Sequence, residues 1–464
     1  MKNKYIDLIQ QTFEFPQEDF NVIDDELYWN NIPLMDIIKQ YGTPVRLTYL
    51  PKISSQIQKA RINFNVAMAK ADYNGEYHYC YCTKSNHFSF VLEEVLKNDV
   101  HLETSSAFDI NIVEELHNQG IFKKDNYIIC NGFKRPQYIE NIVNLIHNGF
   151  ENTIPVLDNK FELDKYIEAG LKRKTKLGIR IATEEEPQFQ FYTSRLGIRY
   201  NEIIPYYQEK IQNNPLFELK MLHFFINTGI KDTAYYWNEL LKAVNLYCEL
   251  KKICPELDSL NIGGGFPIKN SLEFNYDYEY MAEEIVMQIK NTCAQQGVPE
   301  PDIFTEFGTY TVGESGAMLY SIVNQKQQND RELWNMIDGS FMTTLPDTWA
   351  INQRYILLAI NNWNFEYQRV HLGGLTCDSQ DFYNAEAHSN AVFLPKIVPD
   401  EEQYIGFFHM GAYQESLSGY GGIQHCLIPA PKHVIIDMDE NGEYYTKLFA
   451  KEQSYKSMLK ILGF

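Results

Sequence analysis

The chain has 464 residues, 44 % of them hydrophobic and 22 % charged, a balance that excludes a disordered or fibrous protein and leaves room for two or more domains, each with its own core. A formal net charge of −20 and a pI near 5.0 argue against a nucleic-acid or anionic-membrane partner, either of which rewards a basic stripe, and suit a small cationic substrate. No N-terminal stretch has the basic, apolar and small-residue order of a secretion signal, and no apolar run approaches the roughly 18 residues a membrane span requires, so a cytosolic location is expected.

The first 45 residues show no repeating strand–helix pattern and are expected to pack with a C-terminal domain. From there short apolar strands recur: "YHYCYCT" (77–83), "DVHLETS" (99–105), "NYIICNGF" (126–133), "TIPVLD" (153–158), "KLGIRIAT" (176–183), "LKMLHFFI" (219–226), "SLNIGGGF" (259–266) and "DIFTEFG" (302–308). Segments of helical spacing lie between them, among them "SFVLEEVLK", "FDINIVEELHNQ" and "PQYIENIVNLIHNG". An open doubly wound sheet would alternate in the same way, but eight strand–helix units point to a (β/α)8 barrel over 46–320. After about residue 320 a polar stretch, "NQKQQNDREL", precedes short β-rich segments, "RYILLAINN", "YQRVHLGGLTCD", "HVIIDMD" and "EYYTKLF", without regular helices between them. Residues 321–464 therefore read as a mostly antiparallel β domain. The eight cysteines show no zinc-ribbon spacing and are too few for a disulfide scaffold; most are expected to be buried and inert, and only Cys377 has neighbours of interest.

Barrel active sites lie at the C-terminal ends of the strands. The polar or glycine residues there are Lys84, Glu103, Asn131, Arg180, Thr228, Gly263, Gly264, Gly265 and Glu306. The opening strand alternates Tyr77, Tyr79, Tyr81 on one face with His78, Cys80, Cys82 on the other, so Lys84 ends it either as a surface residue or as a reactive amine. Successive glycines free of Cβ can cradle a phosphate with their N–H groups, although a turn or tight packing explains many such runs. A lysine, an arginine, three glycines and a carboxylate at one mouth suggest a phosphorylated cofactor held by an amine.

Nine motifs in order, "YCTKSN", "CNGFK", "RIAT", "LHFFINTG", "NIGGGFP", "TEFGTY", "LPDTW", "TCDSQD" and "GAYQE", resemble the pyridoxal-phosphate decarboxylases of the alanine racemase fold, the group that holds ornithine, arginine and diaminopimelate decarboxylases. The resemblance implies pyridoxal 5′-phosphate bound to Lys84 as a Schiff base, with Glu306 facing the pyridine nitrogen. It also implies a phosphate site of Gly263, Gly264, Gly265, Arg180, Thr228 and Tyr413. Cys377 would return a proton to the substrate carbon, Asp378 would receive the distal cation of the substrate with Asp347 as a second candidate, and a homodimer would complete each site across its interface. No metal is implied.

Two departures matter. The family's ring-stacking histidine is Phe225 here, with His223 two residues earlier, and a phosphate-binding arginine is replaced by Thr309. "NGFK", "LPDTWAI", "TCDS" and "GAYQE" sit closer to biosynthetic arginine decarboxylases than to ornithine enzymes, which makes L-arginine to agmatine, a step toward polyamines such as spermidine, the expected reaction. Ornithine, lysine, diaminopimelate and carboxynorspermidine stay open as substrates, as does a non-catalytic regulatory homologue.

Overall fold

The computed structural model describes residues 17–184, 192–386 and 391–464. They fold as two compact units, one within Ile53–Pro267 with Tyr276–Thr311 and one of 17–52, Ile268–Asn275 and the described part of Val312–Phe464.

The first unit is the expected barrel. Its strands are β1 (Tyr77–Cys82), β2 (His101–Thr104), β3 (Ile128–Cys130), β4 (Thr153–Leu157), β5 (Thr175–Arg180), β6 (Phe217–His223), β7 (Ser259–Asn261) and β8 (Asp302–Phe307). They close in sequence order with every neighbouring pair parallel, β8 returning to β1. Side chains alternate across each strand. Cys80, Ile129, Ile154, Val156, Met221 and Phe304 form the cluster inside the barrel. The opposite face meets other elements: Tyr77 stacks on Phe64 of the helix Leu50–Ala71, with ring centroids 4.5 Å apart, and Tyr79 hydrogen-bonds Thr311 at 2.8 Å. Helices between the strands start where their sequences supply caps; the Ser106 hydroxyl accepts the Asp109 N–H, and the Thr233 hydroxyl that of Tyr236.

In the second unit, two tight hairpins join Phe20–Ile23, Glu26–Trp29 and Ile32–Pro33. Asp24-Asp25 and Asn30-Asn31 supply the positive φ at both turn positions that two-residue hairpins require. A nine-stranded sheet follows the order Val392–Pro395, Tyr367–Gly373, Glu332–Ile337, Gly316–Asn329, Val45–Tyr49, Lys432–Met438, Tyr444–Ala450, with Tyr404–Phe408 paired to Gly316–Asn329 and Ile356–Ala359 to Tyr404–Phe408. Six of its eight pairings are antiparallel. Residues 46–52 and 312–320, expected in the barrel, belong to this unit, because Val45–Tyr49 and the start of Gly316–Asn329 pair with each other in its sheet. The polar "NQKQQN" is itself strand: it forms the outer half of Gly316–Asn329, largely exposed and paired with Glu332–Ile337. Phe20, Trp29 and Leu34 share a core with Met318, Phe341 and Phe407.

Candidate active site

Two residues beyond the buried cluster, on the same face of their strands, lie Cys82, Asn131, His223 and Glu306. One step further on β1, in the 3-10 turn Thr83–Ser85, is Lys84. That turn sets Lys84 at the barrel's C-terminal mouth, where its ammonium pairs with the fully buried carboxylate of Glu103 at the end of β2. A second lysine, Lys134, follows β3 closely, but its amine is sealed. It faces Glu162 at 2.7 Å, donates to the carbonyls of Val156 and Gly132 at 2.7 and 3.0 Å, and its side chain is 0 % exposed. Lys84 is 41 % exposed, so of the two it is the amine that a ligand can reach.

Glu306 is the centre of a polar cluster. Its Oε1 accepts from Asn131 Nδ2 at 2.9 Å and from Asn261 Nδ2 at 2.6 Å. Its Oε2 lies 3.3 Å from His223 Nε2. Asn131 also donates to Glu103 Oε1 at 3.1 Å, which joins the two carboxylates, and the Asn261 side-chain oxygen accepts the Gly263 N–H at 2.9 Å. Burial alone would raise the Glu306 pKa, but His223, the charge of Lys84 and the Asn131 hydrogen bond hold it below the usual carboxylate range. A buried carboxylate whose ionised form is favoured in this way is suited to stabilising a positive charge at a barrel mouth.

Each of the three glycines is required by packing. A Cβ at Gly263 would lie 2.7 Å from the Phe224 carbonyl oxygen, one at Gly264 2.0 Å from that of Glu306, and one at Gly265 2.6 Å from the Gly229 Cα. Gly263 and Gly265 also have φ of +69° and +110°. Phe225 lies against Gly263, and the Arg180 guanidinium is 5.9 Å from its ring centroid. Thr228 sits in the turn after β6, partly exposed, and Thr309 opens the short helix Thr309–Val312.

The remaining site candidates belong to the sheet unit. Tyr413 has φ of 68°, a left-handed backbone rare for a bulky residue and often found at functional positions. Asp347 accepts Gln414 Nε2 at 2.7 Å, and burial raises its pKa. Asp378 accepts the Gln380 N–H at 2.8 Å and lies 3.7 Å from His425 Nε2. The two candidates for the distal cation are therefore engaged with different partners. In "TCDSQD" the other acid, Asp381, is structural: it is buried and accepts the N–H groups of Phe341 and Thr376 and the Thr376 hydroxyl. Cys377 is exposed, as is Cys426, which sequence reading passed over with the buried thiols.

Glu103 and Asn131 carried a strand-end signal but no assigned role, His223 was noted only for its place two residues before Phe225, and Asn261 was missed, although it stands two residues before the first of the three glycines. Only the closed barrel brings these four to Glu306.

A barrel whose mouth holds an accessible lysine and a buried carboxylate defines the class. The family profile "Pyridoxal-dependent decarboxylase, pyridoxal binding domain" matches residues 55–313, more than half of the chain. The chain belongs to the pyridoxal-dependent decarboxylases, and its cofactor is pyridoxal 5′-phosphate. Among curated proteins, a biosynthetic arginine decarboxylase from Geobacter sp. (strain M21) is 24 % identical across 88 % of this chain and 82 % of its own. One from Prochlorococcus marinus (strain MIT 9215) is 22 % identical across 92 % and 83 %. Among solved structures, the biosynthetic arginine decarboxylase of Campylobacter jejuni superposes with a TM-score of 0.81 at 21 % identity, covering 97 % of this chain and 89 % of that one. A diaminopimelate decarboxylase from M. jannaschi does so with a TM-score of 0.78 at 16 % identity, covering 96 % and 97 %. These structures share the fold.

The barrel mouth fits the cofactor. Asn131 Oδ1, Arg180 Nε and His223 Nδ1 are buried there without hydrogen-bond partners, an arrangement that costs stability unless a polar ligand meets it. Among the described residues no helix is long and apolar enough to cross a membrane.

Proposed function

We propose that this protein decarboxylates a basic amino acid, with L-arginine giving agmatine and carbon dioxide as the preferred reaction, in the cytoplasm and on the way to polyamines such as spermidine. The observation that carries the arginine reading is that biosynthetic arginine decarboxylases match 88 % of the chain, both units included. The Lys84–Glu103–Asn131–Glu306 cluster supports a competent enzyme over a silent regulatory homologue.

Lys84 would hold the cofactor through its amine. Arg180, with its unpartnered Nε, would meet the phosphate together with Thr228, the N–H groups of Gly263, Gly264 and Gly265, and Tyr413. Arg180 is also the cation available to offset the threonine at position 309. Phe225 would cover the ring face, supplying contact area but no hydrogen bond. What pyridoxal phosphate supplies when bound is an electron sink for the charge left at the substrate α-carbon as carbon dioxide departs. Glu306 would keep a proton on the ring nitrogen, a task its low pKa suits. Cys377 Sγ would carry the proton that replaces the carboxyl group. The contact with the Cys426 thiol raises the Cys377 pKa above its ordinary value. Asp378, with Asp347 as the second candidate, would receive the distal cation; a planar guanidinium can take paired hydrogen bonds from a carboxylate, where an ammonium is a point charge.

Lys84 and Cys377 belong to different units, and a homodimer with shared sites follows from the family pattern. Mixing Lys84→Ala with Cys377→Ala protein should then restore activity neither variant has alone; no recovery after demonstrated subunit exchange would refute sharing. Amine release from arginine, ornithine, lysine, diaminopimelate and carboxynorspermidine tests the substrate. A faster rate on any of the others at equal concentration would overturn arginine and leave the decarboxylase reading standing.

A further inference from the structure

We propose that Cys377 and Cys426 are a site of oxidative modification, a dithiol that hydroperoxides close to a reversible disulfide. Their sulfurs are 3.5 Å apart although the residues are 49 positions apart in the chain, and both are exposed. A disulfide needs about 2.05 Å, a gap that side-chain rotation can cover. Two features hold the thiols opposite one another. On one side the loop carrying Cys377 is pinned by Asp381, which accepts three hydrogen bonds from Phe341 and Thr376. On the other, Cys426 and Leu427 take consecutive left-handed φ values of 53° and 54° in the turn His425–Leu427. Asp378 and His425, the neighbours of the two cysteines, pair at 3.7 Å beside them.

Selectivity follows from access. The other six cysteines are buried, including Cys248 and Cys293, whose sulfurs are 3.9 Å apart but 0 % exposed between two barrel helices. Oxidation tracks thiolate character and exposure. In the first step the thiolate of one cysteine attacks the hydroperoxide: an S–O bond forms, the O–O bond breaks, and the leaving oxygen takes a proton. In the second, the other thiol attacks that sulfur as it loses its proton, an S–S bond forms, the S–O bond breaks, and the leaving hydroxide takes up that proton as water. Each sulfur gives up one electron and the hydroperoxide receives two; a dithiol reductant reverses the change by exchange.

The consequence for turnover rests on the reading of Cys377 as proton donor. In the disulfide Sγ carries no proton, so the oxidised enzyme should decarboxylate slower by about 10²-fold or more, the usual weight of a general acid. The experiment treats purified holoenzyme with hydrogen peroxide, blocks free thiols with iodoacetamide and maps the peptides, with turnover followed in parallel. The expected result is a Cys377–Cys426 linked peptide, a loss of two hydrogens from the intact mass, and recovery of both mass and turnover with dithiothreitol. Cys426→Ser and Cys426→Ala, with no partner thiol, should gain oxygen on Cys377 without a linked peptide, and dithiothreitol should not restore the turnover they lose to peroxide. Oxygen on Cys377 and no linkage in the unsubstituted enzyme would overturn the proposal, as would linkage of Cys248 to Cys293 alone. A linked peptide with unchanged turnover would support the oxidation site and overturn the role of Cys377 as proton donor.

Discussion

Lys84→Ala should act twice, and the two effects can be measured separately. In cofactor-free protein the Lys84 ammonium neutralises Glu103, whose side chain is 0 % exposed. Removing it leaves Glu103 Oε1 with the 3.1 Å hydrogen bond from Asn131 but takes the partner from Oε2. Breaking a fully buried ion pair costs about 3–5 kcal/mol. Here the lysine is 41 % exposed, so water screens part of the charge, and about 1–3 kcal/mol is expected, the cost of one buried acceptor left unmet. Thermal unfolding of cofactor-free protein reads this as a fall of a few degrees in Tm, and the double variant Lys84→Ala/Glu103→Gln, which removes the stranded charge, should regain most of it. Catalysis should not recover: both variants should lack turnover and the visible absorbance of lysine-bound cofactor. Residual turnover with retained absorbance in Lys84→Ala would refute the site, and a double variant as unstable as the sum of the singles would refute the ion pair.

Cys377→Ala should slow amine release by about 10²–10⁴-fold while leaving cofactor absorbance intact; an unchanged rate would remove Cys377 from the reaction. In the sheet unit, Asp19 sits 2.7 Å from Lys52, itself 3.3 Å from Glu314. Burial alone would raise the Asp19 pKa, but Lys52, with His409 and Lys269, lowers it from 3.8 to about 2. A depressed carboxylate pKa stabilises the fold above its unfolded value and ceases to as pH falls through the folded one. Asp19→Asn should thus cost about 2 kcal/mol at neutral pH, with a gap to the unsubstituted protein that narrows below about pH 4 and closes near pH 2; a pH-independent gap in denaturation midpoints would refute the ion pair as its source.

Much of this protein is legible without coordinates because the signals are local. Strand alternation with a period of two fixes that His78, Cys80 and Cys82 share a face and sets Lys84 just past the strand's end, and eight strand–helix repeats leave a barrel as the economical closure. The glycine run was legible as a need for bare backbone. Its cause was not: what forbids a Cβ at Gly264 is the carbonyl of Glu306, 42 positions along the chain. The same limit applies to Val45–Tyr49, whose pairing partners begin at Gly316 and Lys432, and to the division of labour in "TCDSQD". Sequence could not tell that Asp381 anchors the loop, since that depends on N–H groups of Phe341 and Met342. The clamp of Asn131, Asn261 and His223 on Glu306, and the meeting of Cys377 with Cys426, exist only once distant segments are packed together. Periodicity and capping act over a few residues and are written in order along the chain, whereas burial and hydrogen-bond partnership act through space and are decided by the closed fold.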